Sequence, residues 1–281
     1  MKTLGPWFLA FAIAIGCDCG KVYPQAPAQE RVDAAARVKA AVEKTRGQKS
    51  YSVSFEAVVK VPDSDPMKIT GETVWVASGV LFTQYTASGG EIVRLIRLGE
   101  KVWLYHMLAE DWVTAEESGK PGAGRGVQNP DEVLLAVLKA ADQAVAAGKE
   151  KAGDILEMKL DGPVLQKVMR QQAADSSMDW SKSAGTVRLV SGPADGLMYR
   201  MQVSAEVAST DAHLKGKLIS YTADVNLKAY NKDFGLEFTD YDPKAKKTIN
   251  LSWPVAFMDA AEKTAGVPNE LKAEIQRRRK K

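Results

Sequence analysis

This chain of 281 residues has only two cysteines, and it has no large excess of positive or negative charge. Both cysteines, Cys17 and Cys19, stand near the N-terminus, so the rest of the chain cannot form an internal disulfide and its core alone must stabilise it. The 38 Lys and Arg residues are nearly balanced by 35 Asp and Glu residues. This balance lacks the basic excess that is typical of nucleic-acid-binding proteins, so we expect no nucleic acid as a partner.

The sequence patterns of common catalytic and cofactor sites are also missing. There are two histidines, His106 and His213, and no HExxH, GxSxG, phosphate-loop or paired-cysteine metal motif. The glycine-rich segment 122–126 does not connect a strand to a helix with phosphate-loop spacing. We therefore expect a protein that is not an enzyme and has no cofactor and no metal. A hydrolase that uses an unrecognised serine or carboxylate is the open alternative.

The apolar run over residues 4–16 follows Lys2 and is shorter than the roughly 20 residues that a membrane-spanning helix needs. A positive residue, a short apolar segment and small residues before a cleavage point are typical of an export signal. Ala14-Ile15-Gly16-Cys17 resembles a bacterial lipobox, in which cleavage leaves the cysteine as a lipid-modified N-terminus. We predict a signal peptide over 1–16, lipid attachment at Cys17 and a lipidated tether over 17–27.

This N-terminus predicts a location on the periplasmic side of the cell envelope, with the chain anchored to the bacterial membrane by its lipid. Three other interpretations remain open. An ordinary signal peptidase could release a soluble secreted protein, because small residues also precede its cleavage point. An uncleaved anchor is the second, although the apolar run is short for one. A disulfide or metal clip between Cys17 and Cys19 is the third, although two residues of separation give poor bridge geometry.

Periodicity predicts a helix followed by a series of strands. Residues 28–46 have Val32, Ala35, Val38 and Val42 near one helical face, and Gly47 ends the helix. From Tyr51 onward apolar and polar residues alternate, which is typical of a half-buried strand. More strands are predicted at 69–77, 80–86, 91–98, 101–107 and 112–114. Their short connections favour antiparallel neighbours, since a parallel pair needs a crossover of a dozen or more residues.

A second helical region begins at Asn129-Pro130-Asp131-Glu132, which combines an N-cap, a proline at the first helical position and a capping-box glutamate. We predict that this helix continues to Gly148 and that a broad part of its surface is apolar. A short helix follows Asp161, and strands are predicted at 155–160, 186–190, 197–207, 217–227, 234–239 and 248–253. The sequence therefore predicts an α+β fold with one large antiparallel sheet, apolar on one face and covered by a few helices.

This order of elements resembles the LolA/LolB-type carriers and receptors of bacterial lipoproteins, and the related mycobacterial lipid-binding lipoproteins. The resemblance covers roughly residues 28–255. It rests on an N-terminal helix and on three segments: Tyr51-Ser52-Val53-Ser54-Phe55-Glu56-Ala57, Leu98-Gly99-Glu100-Lys101-Val102-Trp103-Leu104-Tyr105 and Asn250-Leu251-Ser252-Trp253-Pro254. It implies a curled sheet that forms an incomplete β-barrel, with a cavity for acyl chains. It also implies a ligand-binding domain over 28–258. The run Arg277-Arg278-Arg279-Lys280-Lys281, after a short helical stretch from Asn269, predicts a basic helical tail over 259–281 that is either solvated or placed on anionic lipid head groups.

On this resemblance we expect a non-catalytic carrier or acceptor that binds lipid or the acyl chains of lipoproteins. An envelope sensor or protein-interaction module on the same fold, with an envelope protein as partner, is the alternative. The expected cavity wall comprises apolar residues of the strands and of the helix after Asn129. The expected residues are Val53, Phe55, Ala57, Trp75, Phe82, Trp103, Leu104, Leu134, Leu138 and Tyr221. The alternative for these positions is an ordinary packed core.

Overall fold

A computed structural model describes residues 28–90, 92–106, 110–117, 130–169, 178–210, 214, 217–242 and 246–280. The predicted signal peptide, the lipid-attachment residue Cys17 and the tether lie outside the described residues. In the described part of the chain, no helix is long and apolar enough to cross a membrane.

The described residues form five α-helices and thirteen strands. The helices are α1 (Ala28–Arg46), α2 (Pro130–Ala140), α3 (Gly162–Met169), α4 (Val255–Lys263) and α5 (Asn269–Arg279). The first strands are β1 (Ser50–Lys60), β2 (Met67–Val76), β3 (Val80–Ala87), β4 (Ile92–Leu98), β5 (Lys101–His106) and β6 (Asp111–Thr114). After α2 come β7 (Ala144–Glu150), β8 (Gly153–Asp161), β9 (Met178–Ser191), β10 (Met198–Ser209), β11 (Leu218–Lys228), β12 (Phe238–Asp242) and β13 (Lys247–Leu251).

Eleven strands form one sheet in the order β6-β5-β4-β3-β2-β1-β11-β10-β9-β8-β7, and β12 pairs separately with β13. The large sheet has β6 and β7 as its edges, so it is open. The predicted fold class, α+β with a large curled antiparallel sheet as an incomplete β-barrel and a few helices, is confirmed.

The chain divides into two compact units, each built from separate stretches of sequence. Unit 1 comprises Met1–Gly47, Ser54–Thr70 and Gly126–Leu227, and unit 2 comprises Gln48–Val53, Gly71–Arg125 and Lys228–Lys281. The predicted ligand-binding domain therefore contains parts of both units.

Helix α1 has the predicted bounds, but its buried face differs from the prediction at one position. Val38 and Val42 are fully buried, together with the neighbouring alanines of the same face, whereas Val32 is 62% exposed. The C-terminal end of α1 is joined to the start of α2 by Arg46 Nε, 2.7 Å from Asp131 Oδ1. The apolar contact of α1 is therefore supplied by residues from Ala34 to Val42, and Val32 does not belong to it.

The predicted continuation of α2 to Gly148 is wrong. The helix ends at Ala140, a short 3₁₀ turn covers Ala141–Gln143, and the next residues form the edge strand β7. Strand β7 pairs with β8 and has a register shift between Ala146 and Gly148, where Gly148 has a φ of 122°. Alanine-rich sequence favours helix, but the ladder with β8 and the bulge at a glycine override that preference here.

Candidate ligand-binding site

The ten predicted wall residues fall into both units. Unit 2 contains Val53 and the predicted residues of β2, β3 and β5; unit 1 contains those of α2, of β11 and of the later part of β1. Each set is described separately, beginning with unit 2. Its members are Val53, Trp75, Phe82, Trp103 and Leu104.

Phe82 and Trp103 lie in a packed core and not on an open wall. Their rings are joined through Phe257 of α4: its ring centroid is 5.5 Å from that of Phe82 and 5.5 Å from that of Trp103. Trp253 stacks on Phe82 at 4.5 Å. All four side chains are at most 4% exposed. We therefore do not retain Phe82 and Trp103 as wall residues, because protein side chains already fill the space beside them.

Strand register places Leu104 on the opposite face of the same strands. Phe82, Ile96 and Trp103 stand opposite one another on β3, β4 and β5, and the next row is Thr83, Leu95 and Leu104. Because successive side chains of a strand point to opposite faces, this second row lies on the other side of the sheet. Leu104 is half-buried there.

Trp75 shares the face of Leu104. The hydroxyls of Thr73 and Thr83 are 3.1 Å apart, which places Thr73, and with it Trp75 two residues on, on the side of Thr83. The Trp75 ring stacks on Tyr51 with 4.9 Å between the ring centroids. Val53 lies two residues from Tyr51 on β1 and so belongs to the same face. Three of the five predicted residues of unit 2 thus share one sheet face, and two occupy the other.

In unit 1, rows of small and apolar residues cross four neighbouring strands. One row is Leu160, Gly185, Ala205 and Tyr221, and the next is Met158, Val187, Val203 and Ala223. Helix α3 packs on this face: a Cβ added to Gly185 would stand 3.2 Å from Leu165 Cδ1 and 2.8 Å from the Ser204 carbonyl oxygen. Glycine is required at 185 because the helix and the neighbouring strand approach so closely.

The other predicted residues of unit 1 belong to the same face or to the helices over it. Phe55 and Ala57 are buried, and the residues between and after them are more exposed. Thr222 Oγ1 donates a hydrogen bond to the Val58 carbonyl oxygen at 3.4 Å, so β1 runs beside β11 here. Helix α2 contacts α1, α3 and β8. On α2, Leu134 is buried and Leu138 is half-buried.

Tyr221 is less buried than the alanines beside it on this face. Its side chain keeps accessible surface, whereas Ala205 directly opposite and Ala223 two residues along are buried. Burial of its hydroxyl raises the pKa above the ordinary value of 10.0, because the charged form would be desolvated.

The opposite face of these strands is polar. Arg188 Nε lies 2.6 Å from Glu157 Oε2, directly across the β8–β9 ladder. Arg200 Nε donates to Asp224 Oδ1 at 2.7 Å across the β10–β11 ladder. These pairs are partly exposed, as expected for the outer side of a sheet whose other side is a core.

Two features of unit 2 were not predicted from the sequence. Arg94 is 2% exposed and its Nη2 lies 3.1 Å from Asp240 Oδ1, so a buried cation attaches β12 to β4. The basic residues of α5 are not a free tail either. Arg278 lies over the Trp253 ring at 3.9 Å and pairs with Glu274 at 2.7 Å, and Ile275 of the same helix is fully buried. The segment predicted as a basic tail is therefore part of the core of unit 2.

Among the described residues, no group of three or more His, Cys, Asp or Glu side chains could hold a metal ion.

No protein-family model and no curated protein matches the sequence. Solved structures do match. The lipoprotein LppX of Mycobacterium tuberculosis is 12% identical with a TM-score of 0.47, over 72% of this chain and 97% of that one. LprF of Mycobacterium bovis is 12% identical with a TM-score of 0.43, over 72% and 94% of the two chains. A LolA superfamily protein of Nitrosomonas europaea is 11% identical with a TM-score of 0.29, over 76% and 97%.

These neighbours include mycobacterial lipoproteins and a LolA superfamily protein, the groups that the sequence resembles. The TM-scores are all below 0.5, so whatever the chain binds has to be inferred from its own residues.

Proposed function

We propose that this chain is an exported, membrane-tethered lipoprotein that binds lipid or acylated cargo without catalysis. In unit 1 the acyl chain lies against the apolar face of β8–β11, beneath α1, α2 and α3. The wall residues are Phe55, Ala57, Leu134, Leu138 and Tyr221. In unit 2 the proposed wall is the face that carries Val53, Trp75 and Leu104. Cys17 carries the anchoring lipid, and the domain works at the periplasmic side of the envelope.

The observation that carries the proposal is the environment of Tyr221. Part of its side chain remains accessible, although its neighbours on the sheet are buried. These neighbours are small or aliphatic: Ala205 directly opposite, Ala223 two residues along, and Val203 beside Ala223. A space beside Tyr221 that is bordered by such uncharged side chains would favour a hydrocarbon chain, because burial of apolar surface contributes about 25 cal/mol per Å².

The test is whether the purified full chain carries lipid, and whether the space beside Tyr221 holds it. Mass spectrometry of a lipid extract identifies bound lipid, and cis-parinaric acid serves as a fluorescent fatty-acid probe. We expect extracted lipid and saturable probe fluorescence. Ala205→Phe places a ring opposite Tyr221 and should weaken probe binding about tenfold, which corresponds to roughly 1.4 kcal/mol.

The matched control is Ser204→Phe, the preceding residue of β10, whose side chain points to the opposite sheet face. This variant should bind the probe like the natural chain. Circular dichroism must show both variants folded, since overpacking a core costs about 1–3 kcal/mol. A chain that carries no lipid and does not change the probe's fluorescence would contradict the proposal, as would equal weakening by both substitutions.

A further inference from the structure

A groove of about 400 Å³ runs along the solvent side of α1 in unit 1. It lies on the outside of the helix that packs by its other side on β7 and α2. Its lining residues are Arg31, Val32, Ala35, Ala36, Lys39 and Asp142.

The floor of the groove is apolar although it faces water. Val32 is 62% exposed, and Ala36, one turn further on, is exposed as well. The valines that follow in α1, Val38 and Val42, are fully buried against unit 1. Among the described residues, Val32 therefore has little packing role, and its side chain is accessible to another apolar phase.

The rim of the groove carries more positive than negative charge. Arg31 and Lys39 stand against the single carboxylate of Asp142. Lys39 Nζ lies 2.7 Å from Asp142 Oδ1, but the two side chains are 46% and 79% exposed, so this pair is weak and Lys39 can exchange partners. Arg31 Nε is buried and has no hydrogen-bond partner within the described part of the chain. The groove is thus lined by Arg31, whose Nε–H has no partner among the described residues, and by Lys39, whose ammonium group is only weakly paired.

An apolar floor with a cationic rim fits an anionic amphiphile. The position of the groove along the chain indicates which one. Ten residues, 18–27, separate the predicted lipid-attachment residue Cys17 from the start of α1. At roughly 3.5 Å per residue they reach at most about 35 Å, so the start of α1 lies within that distance of the bilayer surface when Cys17 carries the lipid, a step that rests on the proposed tether. Anionic lipid head groups at that surface attract Lys and Arg side chains.

We propose that this groove docks on the membrane, with Arg31 and Lys39 binding the phosphates of anionic phospholipids and Val32 entering the interfacial layer. This surface is separate from the ligand-binding face, and it gives the tethered domain a defined orientation.

The test uses photo-cross-linking on the full-length lipid-modified chain, reconstituted in vesicles. Val32→p-benzoylphenylalanine places the cross-linker on the groove floor. The vesicles contain phosphatidylcholine alone or phosphatidylcholine mixed with phosphatidylglycerol. We expect cross-links to lipid that are several-fold more abundant in the vesicles with phosphatidylglycerol, and a several-fold loss when Arg31→Glu is added.

The matched control is Leu218→p-benzoylphenylalanine, since Leu218 is another exposed apolar residue of unit 1, 43% exposed at the start of β11. It should give few lipid cross-links in either vesicle. Equal cross-linking at 32 and 218, or no effect of phosphatidylglycerol, would overturn the proposal. So would cross-links to protein in place of lipid, which would indicate a protein partner or a second copy. Arg31→Glu should leave cis-parinaric acid binding unchanged, so this proposal and the ligand-binding proposal can fail independently.

Discussion

The two units use the same antiparallel strands in different ways. In unit 1, β10 and β11 have one apolar face and one face with charged and polar residues, among them Arg200 and Asp224. In unit 2, β3 is buried on both faces: Val80, Leu81 and Phe82 are consecutive and at most 1% exposed. The alternation of apolar and polar residues along some strands therefore does not decide whether one face of a sheet or both faces must be covered by other elements.

The second apolar face of the unit 2 strands is covered by the C-terminal residues. Leu236, Phe238 and Leu251 of the β12–β13 region, and Phe257, Leu271 and Ile275 of α4 and α5, form one core cluster with β2–β5. In unit 1 the corresponding strands need no such cover, because their outer face is solvated through ion pairs. The comparison predicts that substitutions under α4 cost far more than substitutions on the outer face of unit 1.

The largest expected effect is that of Phe257→Ala. Phe257 is fully buried and makes edge contacts with Phe82, Trp103 and Trp253. Removing its ring leaves a cavity between α4 and β3, so we expect a loss of about 3–5 kcal/mol in the free energy of unfolding, measured by urea denaturation.

The control for this substitution is Val255→Ala in the same helix. Val255 is 61% exposed, and its truncation should change the stability by no more than about 0.5 kcal/mol. If the two variants were equally stable, α4 would not be the cover of the second sheet face, and the contrast between the units would be wrong.

The comparison also explains what the sequence could and could not predict. Helix α1, the cap of α3, in which Val164 N donates to Asp161 Oδ1 at 3.0 Å, and most strand positions follow from local periodicity and capping residues. The face of the sheet on which a strand residue lies can also be predicted from the nearby sequence. The elements that cover that face cannot, because they come from distant parts of the chain. Phe82 and Leu104 were predicted together as wall residues. The ring of Phe257, far along the chain, makes the first a core residue.

Charge patterns were misleading for the same reason. The run Arg277-Arg278-Arg279 indicates a solvated tail when read alone. In the structure its partners are Glu274 of the same helix and also Glu237, Asp259 and Glu262, which are distant from it in sequence. Likewise nothing local marks Arg94 as buried, because Asp240 lies 146 residues away. The strands of the candidate binding face, and the residues of each strand that point toward it, could thus be predicted from the sequence. Which of these residues are covered by distant parts of the chain could not.

A smaller effect is expected for the acid dependence of unit 2. The hydrogen bond from Arg277 lowers the pKa of Glu274, against the opposing effect of burial, and Arg278 lowers it further. A carboxyl whose pKa is lower in the folded state stabilises the fold above its unfolded pKa of about 4.3, and this contribution is lost as the pH falls through the folded pKa. Glu274→Gln should therefore be less stable than the natural chain at pH 7, and the difference should narrow below about pH 4.

Urea midpoints measured at intervals between neutral and acid pH test this expectation. The exposed residue Glu100, in the β4–β5 turn of the same unit, supplies the control Glu100→Gln for the removal of one negative charge. A Glu274→Gln deficit that is constant over the whole pH range would mean that packing of α5, and not the charge of Glu274, is responsible.

The smallest effect is expected on the outer face of unit 1. Arg188 and Glu157 are directly opposite on β8 and β9, with 44% and 16% of their side chains exposed. Water and salt screen such a pair, and holding both side chains costs entropy, so a double-mutant cycle with Arg188→Ala and Glu157→Ala should give a coupling energy of about 0.2–1 kcal/mol. The coupling should decrease at high salt. Arg278 is only 10% exposed and lies on the Trp253 ring, so Arg278→Ala also removes packing and should cost more than Arg188→Ala. A coupling above about 2 kcal/mol between Arg188 and Glu157 would show that the polar face of unit 1 contributes to stability as a core does, and the two units would then differ in composition only.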